Sequence, residues 1–289
     1  MGHLVEALGE FFGFTIQVSS QRPPRRWSPS PLLYASAAVH LGAAAAVVAR
    51  PRVWPWGLCA VAANHIALAA AGLWPRSQWL GPNITRLPIG NAASGDVAIT
   101  IDDGPDPQVT PQVLSTLNRH HAHATFFCVG ERVQRFPELA QEIVRLGHAI
   151  ENHSQRHRHN FSLLGPDGMC AEITRAQDGI LRITGNAPRF FRAPAGLRNP
   201  FLDPILTRLQ LRLASWTRRG FDTVTTNADT VLRRLADPLQ GGDILLLHDG
   251  NAARGRSGNP VILEVLPRLL DAIAERRLRP VTLRSAILP

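Results

Sequence analysis

The 289-residue sequence contains no lysine, one tyrosine, two methionines and three cysteines. All 31 basic side chains are therefore arginine, which stays charged over the usual pH range and gives the chain a pI of about 11.2. We attribute the missing lysine to a GC-rich genome rather than to a function. Because Cys59, Cys128 and Cys170 form no CxxC pair, the sequence predicts neither a disulfide framework nor a cysteine metal site, and it favours a reducing compartment.

Recognised nucleic-acid modules are missing as well, and no basic segment is interleaved with aromatic residues. Nucleic acid is therefore not expected as a partner. The net charge of +9 is unevenly spread: residues 1–95 carry 7 Arg and 2 Glu, a net +5, whereas residues 96–289 carry 24 Arg and 20 acidic residues, a net +4. The basic excess lies beside a strongly apolar segment, where anionic membrane lipid is the natural partner.

Two apolar runs, residues 31–50 and 53–74, are each close to the length of about 20 residues that crosses a bilayer as a helix. Aromatic side chains lie near their ends, as is typical of membrane interfaces: Trp27, Tyr34, Trp54, Trp56 and Trp74. A pair of buried helices in a soluble protein would need a polar face on each, which neither has. A cleaved signal peptide fits poorly, because the apolar sequence starts late and continues too long. We therefore predict two transmembrane helices.

The orientation of these helices follows from the flanking arginines. The outer ends carry five: Arg22, Arg25, Arg26, Arg76 and Arg86. The short connection carries two, Arg50 and Arg52. The positive-inside rule then predicts a multi-pass protein of a bacterial inner membrane whose large domain faces the cytoplasm; with one span only, the domain would face outward. We divide the chain into a basic tail (1–30), a membrane anchor (31–74), a linker (75–95) and a large domain (96–289).

In the large domain, strand-like apolar runs alternate with helix-like segments. The predicted strands are 97–101, 124–129, 148–152, 189–193, 211–216, 243–248 and 280–283. The predicted helices are 110–120, 137–146, 168–184, 200–209, 228–236 and 260–275. This alternation is typical of an α/β fold with a parallel sheet, either doubly wound or closed as a barrel. Functional side chains of such folds collect at the carboxyl ends of the strands.

Two adjacent carboxylates, Asp102 and Asp103, follow the first strand in the run VAITIDDGPDP. A solvated Asp-Gly turn would explain them. Alternatively, one carboxylate binds a metal ion while the other handles a proton. After the third strand, His153 and His157 stand four residues apart, and one helical turn would place both imidazoles within reach of one ion. Two histidines and a carboxylate form a divalent metal site that leaves positions open to water and substrate.

Taken in order, the runs DDGP, HSQRH, FFRAPAG, FD and LLLHDG resemble the motifs of the polysaccharide deacetylase family, also called the NodB-homology domain or carbohydrate esterase family 4. The resemblance covers roughly residues 96–285. It implies a distorted, incomplete (β/α) barrel of NodB type. It also implies a hydrolase that acts on carbon–nitrogen bonds and removes acyl groups from amino sugars. The expected cofactor is one divalent metal ion, zinc in the first place, with cobalt, nickel, manganese or iron as alternatives.

The resemblance also implies a role for each matching residue. Asp103, His153 and His157 would hold the metal ion. Asp102 would be the general base that takes a proton from the attacking water, and Arg192 would position that base and balance its charge.

On the other side of the expected site, His248 would be the general acid that protonates the leaving amine, oriented by Asp222. The backbone N–H of Ala195 would stabilise the oxyanion, and Leu246 would line the pocket for the acyl methyl group. Two positions depart from the family pattern. Ala195 replaces an aromatic residue that usually shapes the sugar groove, and Thr223 replaces a tryptophan that usually follows the aspartate.

The run PAGLR, residues 194–198, is similar to a branch of the family that deformylates a lipid-linked amino sugar at the membrane. The sequence therefore predicts removal of an acetyl or formyl group from an N-acylated amino sugar, on a glycan or a lipid-linked sugar, with membrane lipid as a further partner. Two alternatives stay open. One is an O-acetyl esterase on the same scaffold, and the other is a non-catalytic membrane protein that binds glycan or lipid.

Overall fold

The computed structural model describes residues 25–288, so most of the predicted basic tail lies outside it. Two helices come first, α1 (Pro31–Ala49) and α2 (Trp54–Leu73), joined by a 3-10 turn at Pro51–Val53. Both are long and apolar enough to cross a membrane, by length and composition, and most of their side chains are exposed. Helices of this kind serve either as membrane anchors or as a signal sequence.

Small residues and a few polar contacts hold the two helices together. Gly57 of α2 lies against Ala43 and Val47 of α1, so the backbones approach closely. Further along, the Asn64 side chain donates to the Ser36 hydroxyl over 2.9 Å. A residue earlier in α2 thus lies against the later part of α1, and a residue later in α2 against the earlier part of α1, so the helices form an antiparallel hairpin.

The rest of the chain is built on eight parallel strands. They are β1 (Asp96–Asp102), β2 (Thr125–Cys128), β3 (Ala149–Asn152), β4 (Phe190–Phe191), β5 (Arg212–Leu213), β6 (Arg218–Arg219), β7 (Ile244–His248) and β8 (Arg279–Val281). Their order is β5-β4-β3-β2-β1-β7-β6, and β8 pairs with the first half of β1. Among the described residues no ladder joins β5 to β6, so the barrel stays open. The predicted distorted (β/α) barrel is confirmed.

Helices pack against this sheet, most of them on its outer face. They are α3 (Ile89–Ala93), α4 (Thr110–Arg119), α5 (Gly130–Arg135), α6 (Pro137–Arg145), α7 (Pro166–Thr184), α8 (Leu202–Arg208), α9 (Ala228–Ala236), α10 (Ile262–Glu275) and α11 (Leu283–Ile287). The six helices predicted from the sequence are all present, within two residues at each end. The sequence did not predict β6 or the short helices α3, α5 and α11.

Strand β1 is buried along its whole length, because both of its faces are covered. Successive side chains of a strand point to opposite faces. Val97, Ile99 and Ile101 therefore pack in the outer core against the helices. Thr100 and Asp102 point the other way, into the interior of the open barrel. This two-residue period brings a carboxylate to the inner face at the point where the strand ends.

The segment predicted as a linker, residues 75–95, packs against the domain. Leu80 and Leu87 are almost fully buried, and Ile84 forms a parallel bridge with Ala214 beside β5. Just before this segment, the carbonyl oxygen of Gly72 in α2 accepts a hydrogen bond from the backbone N–H of Arg198. The end of the hairpin is therefore fixed directly to the loop that follows β4.

Candidate active site

The carboxyl ends of the central strands lie level with one another. Asp102 stands opposite Phe127 of β2 and opposite His248 of β7 in the two ladders. A pocket of about 500 Å³ opens at this end of the sheet. Seven of the nine predicted site residues line it: Asp102, Asp103, His153, His157, Ala195, Leu246 and His248. The other two, Arg192 and Asp222, lie behind its wall and contact residues that line it.

Arg192 holds Asp102 in one orientation. Its guanidinium is 1% exposed and donates to Asp102 Oδ1 over 2.6 Å and to the Thr100 hydroxyl over 2.8 Å. Backbone carbonyls of Ala214 and Ser215 accept its remaining donors, and the group lies 4.0 Å from the ring centre of Phe127. Burial lowers the pKa of Arg192, while the charge of Asp102 opposes that shift. The pair leaves Oδ2 of Asp102 on the side of the pocket.

Asp103 and two imidazoles converge on one point. Oδ1 of Asp103 lies 3.3 Å from Nε2 of His153 and 3.1 Å from Nε2 of His157. Although this oxygen is buried, it has no hydrogen-bond partner among the described residues. The angles between it and the two ring nitrogens do not permit a hydrogen bond. Its other oxygen, Oδ2, accepts a hydrogen bond from Asn251 over 3.1 Å. One carboxylate oxygen is thus held, and the other faces the two rings.

These atoms fit a divalent metal ion. Nδ1 of His153 lies 2.8 Å from the carbonyl oxygen of Arg192, which can only accept, so Nδ1 carries a proton and Nε2 is the nitrogen that faces Asp103. Burial and the charge of His153 lower the pKa of His157 to about 4, so its ring is neutral and able to bind a metal ion at neutral pH. Burial alone would raise the pKa of Asp103, but the histidines lower it well below its ordinary value. Two imidazoles and a carboxylate are ligands that suit zinc and similar ions.

The structure corrects one expectation about this site. We predicted that a helical turn brings His153 and His157 together, but the segment between them is a loop. Ser154 and His157 have left-handed backbone conformations, with φ of 63° and 48°. The Ser154 hydroxyl accepts from the backbone N–H of His157, and Asn152 accepts from that of Ser154. These hydrogen bonds fold the loop back on itself, because side chains of this kind replace helical bonding with local turns.

Across the pocket, Asp222 fixes His248 at two points. Oδ1 of Asp222 accepts from Nδ1 of His248 over 2.8 Å, and Oδ2 accepts from the backbone N–H of the same residue over 2.7 Å. Burial alone would lower the pKa of His248, but the charge and hydrogen bond of Asp222, with smaller contributions from Asp102 and Asp103, raise it to about 9. The ring is therefore protonated at neutral pH, and Nε2 is the nitrogen left for a ligand. Asp222 follows the short strand β6, which the sequence did not reveal.

Ala195 and Leu246 form part of the pocket wall. Ala195 lies in the 3-10 turn Pro194–Gly196 in a left-handed conformation, with φ of 55°, which is strained for a residue with a Cβ. Leu246 is 1% exposed and belongs to the inner core together with Trp216. Trp216 also packs against Gly196, where any side chain would overlap the indole. An indole therefore lines the pocket although the motif positions at Ala195 and Thr223 carry no aromatic residue.

Sequence reasoning missed several residues that line the pocket. The main ones are Glu131, Arg132, Arg156, His159, Trp216, Arg219 and Asn251. Asn251 stands two residues after Asp249 in LLLHDGN, and its place next to a motif was the one available signal. Arg219 reaches the pocket through the pairing of β6 with β7, and Trp216 through its packing in the inner core, so neither follows from a local pattern.

Comparison with known proteins agrees with this geometry. The sequence profile of the family described as polysaccharide deacetylase matches residues 90–214. The chain is 30% identical over 200 residues to a peptidoglycan-N-acetylglucosamine deacetylase of Bacillus cereus, an alignment that covers 68% of this chain and 71% of the relative. It is 34% identical over 155 residues to a chitooligosaccharide deacetylase of Azorhizobium caulinodans, which covers 53% of this chain and 73% of that relative.

Among solved structures, a crystal structure of a peptidoglycan N-acetylglucosamine deacetylase superposes on this chain with a TM-score of 0.62. The two sequences are 28% identical, and the match covers 71% of this chain and 92% of that one. The remaining 29% of this chain lies outside the match.

Proposed function

Because the chain belongs to the polysaccharide deacetylase family and is thus a hydrolase of carbon–nitrogen amide bonds, we propose that it removes the N-acetyl group from an amino sugar in a metal-dependent reaction at a membrane. One observation carries the proposal. The buried Oδ1 of Asp103 faces two imidazole nitrogens, between an Asp102–Arg192 pair and an Asp222–His248 pair. Relatives named for N-acetylglucosamine and chitooligosaccharide substrates support acetyl rather than formyl as the acyl group.

Asp103, His153 and His157 would hold the metal ion. When bound, the ion supplies Lewis-acid chemistry: it makes water more acidic and polarises the carbonyl group of the amide. The potential ligand atoms of the three residues already lie close together, so these side chains would need little rearrangement to bind the ion. Asn251 contributes by fixing the plane of the Asp103 carboxylate.

Asp102 would act as the general base. Arg192 occupies Oδ1, so Oδ2 is free on the pocket side to accept the proton of the attacking water. The oxygen of that water forms a bond to the carbonyl carbon, and the negative charge develops on the carbonyl oxygen. The N–H of Ala195, on the pocket wall, is available to that oxygen.

His248 would act as the general acid. Asp222 holds the ring through Nδ1, which leaves Nε2–H to protonate the sugar nitrogen as the carbon–nitrogen bond breaks. The products are acetate and the free amine. Leu246 and Trp216 supply an apolar surface for the methyl group of an acetyl amide. A formyl amide has a hydrogen atom in place of that methyl group and would leave this surface uncovered.

The N-terminal hairpin supports a membrane location. Its arginine balance, five outside the spans against two between them, favours a domain on the cytoplasmic side of the inner membrane and a multi-pass topology. On that side an amino sugar carried by a lipid is within reach of the pocket, whereas an assembled cell-wall polymer is not. We therefore propose a lipid-linked amino sugar as the substrate.

The test uses the full-length protein in detergent, with metal content and amine release measured together. Substrates are N-acetylated and N-formylated glycolipids and an acetylated chitooligosaccharide. We expect one divalent ion per chain and release of amine, both lost in Asp103→Ala. Asp271→Ala, an exposed aspartate on α10, is the matched control and should change neither. A protein that keeps its ion but releases no amine from any substrate would refute the deacetylase proposal.

An O-acetyl esterase is the second candidate, and His248 separates the two activities. An amine leaves only when protonated, while an activated alcohol leaves without help. We expect His248→Ala to lower amide cleavage far more than cleavage of an activated acetyl ester. Equal losses on both substrates would argue against His248 as the donor to the leaving amine.

A further inference from the structure

A second pocket lies beside the first and is lined mainly by arginine. It has a volume of about 470 Å³ and is open to solvent. Five of the residues that line it are arginines: Arg76, Arg86, Arg218, Arg219 and Arg234. Asp243 is the single acidic residue of the lining. We call this the arginine pocket.

The arginine pocket has more positive charge than the protein neutralises. Asp243 pairs with Arg86 over 3.1 Å and with Arg218 over 2.9 Å, so one carboxylate is shared by two cations. In the described part of the chain, Arg76, Arg219 and Arg234 have no carboxylate within ion-pair distance. Five arginines and one aspartate leave a net charge of about +4 in one cavity, which favours an anionic ligand strongly.

The side chains are oriented rather than free. Arg76 donates to the carbonyl oxygen of Thr217, and Arg234 donates to that of Gly220. The guanidiniums of Arg219 and Arg234 lie 4.9 Å and 5.4 Å from the ring centre of Phe221, so both are steered by the same aromatic side chain. These contacts hold the guanidiniums in place, so a bound anion would meet donors that are already positioned.

Phosphate is the anion that suits this arrangement. Its oxygens accept several charge-assisted hydrogen bonds at once, and arginine presents two parallel donors to each pair of oxygens. A carboxylate has only two oxygens and would leave most of the guanidiniums without an acceptor.

The position of the arginine pocket connects two other parts of the molecule. Arg219 lines both this pocket and the candidate active site, so the two cavities share a wall. At the other side, Arg76 stands three residues after Leu73, the last residue of α2, a separation of at most about 11 Å along the chain. The arginine pocket therefore lies between the end of the hairpin and the catalytic residues.

We propose that the arginine pocket binds the phosphate group of a membrane-embedded, lipid-linked substrate and so places the adjoining sugar in the active site. The role in substrate placement rests on the proposed deacetylase function, whereas the phosphate-binding site itself does not. The alternative source of the same chemistry is the phosphate of an ordinary phospholipid headgroup, and the experiment separates the two.

The first arm measures binding of inorganic phosphate to the full-length protein in a neutral detergent by isothermal titration. We expect saturable binding that becomes about tenfold weaker in Arg76→Gln and in Arg234→Gln, the loss of one charge-assisted contact in each. Arg233→Gln is the matched control, because Arg233 neighbours Arg234 on α9 and bonds only to Thr230 in the described structure. Absence of saturable binding, or equal affinity in all four proteins, would overturn the phosphate site.

The second arm measures deacetylation in the same neutral, phosphate-free detergent, with a prenyl-pyrophosphate-linked N-acetylglucosamine and a phosphate-free chitooligosaccharide as substrates. We expect inorganic phosphate to compete with the lipid-linked substrate only, and Arg76→Gln to raise its KM about tenfold while Arg233→Gln does not. Equal inhibition of both substrates would contradict substrate placement. Loss of phosphate binding on adding phosphatidylglycerol, without competition between phosphate and substrate, would assign the pocket to a phospholipid headgroup. If neither substrate releases amine, the deacetylase proposal fails while the first arm still decides the site.

Discussion

Asp222→Asn tests whether Asp222 keeps His248, the proposed general acid, in its protonated form. In the structure the Asp222 carboxylate contacts His248 twice, and its negative charge is the main reason why the pKa of His248 lies near 9 despite burial. Asparagine keeps the size of the side chain but removes that charge. Burial then remains as the dominant influence, so we expect the pKa of His248 to fall to its ordinary value of 6.5 or below.

The magnitude follows from the fraction of His248 that carries the proton. If His248 is the general acid, as we propose, catalysis requires its protonated form, which is complete well below the pKa and is lost as the pH rises through it. At pH 8 a pKa of about 9 leaves roughly 90% of the rings protonated, whereas a pKa of 6.5 leaves about 3%. The variant should therefore be about 30-fold slower than the wild type at pH 8, equivalent to about 2 kcal/mol. At pH 6 the same calculation predicts a difference below about twofold from protonation alone.

The assay is amine release under saturating substrate from pH 5.5 to 10, with metal content checked at both ends of the range. A metal ion on Asp103 would offset part of that residue's attraction for the His248 proton, and this applies equally to wild type and variant. Loss of orientation would lower the rate of the variant by the same factor at every pH. The pH at which the rate falls on the alkaline side of the profile therefore reports the effect of the Asp222 charge separately from any loss of orientation. If the rate falls at the same pH in both proteins, the reasoning is refuted.

Three further changes have definite expectations. Asp102→Asn removes the proposed base and none of the proposed metal ligands, so metal content should stay the same while turnover falls by about 10²- to 10⁴-fold; preserved turnover would exclude Asp102 as the base. Asn251→Ala releases Oδ2 of Asp103, so the dissociation constant of the metal ion, measured by competition with a chelator, should rise at least about tenfold, and an unchanged constant would contradict this role. Gly72→Ala would place a methyl group on the carbonyl oxygen of Arg198, so thermal unfolding should begin at lower temperature and KM should rise; Gly42→Ala, with open space around it, should change neither.

Much of the fold could be predicted, because its central strands are buried on both faces. The runs that became β1 and β7 are continuous and apolar, and short runs of this kind between helices are typical of central strands in a parallel sheet. Strand β6 could not be found in this way. It consists of Arg218 and Arg219, which carry no strand-like pattern and pair only with β7.

The candidate active site likewise contains some features that the sequence pattern predicts and others that it does not. Asp102, Asp103 and His248 come together because the parallel strands β1 and β7 end level with one another, which the alternation of strands and helices already indicates. The conformation between His153 and His157 was wrong in the prediction, since a spacing of four residues fits a tight loop as well as a helical turn. The arrangement of Trp216 and Arg219 around the pocket depends on contacts between segments distant in sequence, and no local pattern encodes it.

The end of the hairpin is docked on the loop after β4, and this contact limits how far the pocket can move away from the hairpin. Gly72 bonds to Arg198, and Arg198 in turn donates to the carbonyl oxygen of Ser77 over 2.6 Å, so no flexible spacer separates α2 from the catalytic loop. With the hairpin in a bilayer, the pocket cannot sweep through the surrounding solution as a domain on a long tether would. It would sample only molecules that diffuse past in the plane of the membrane. Its working rate would then depend on the number of substrate molecules per unit area of lipid, and a soluble oligosaccharide would be a poor measure of that rate.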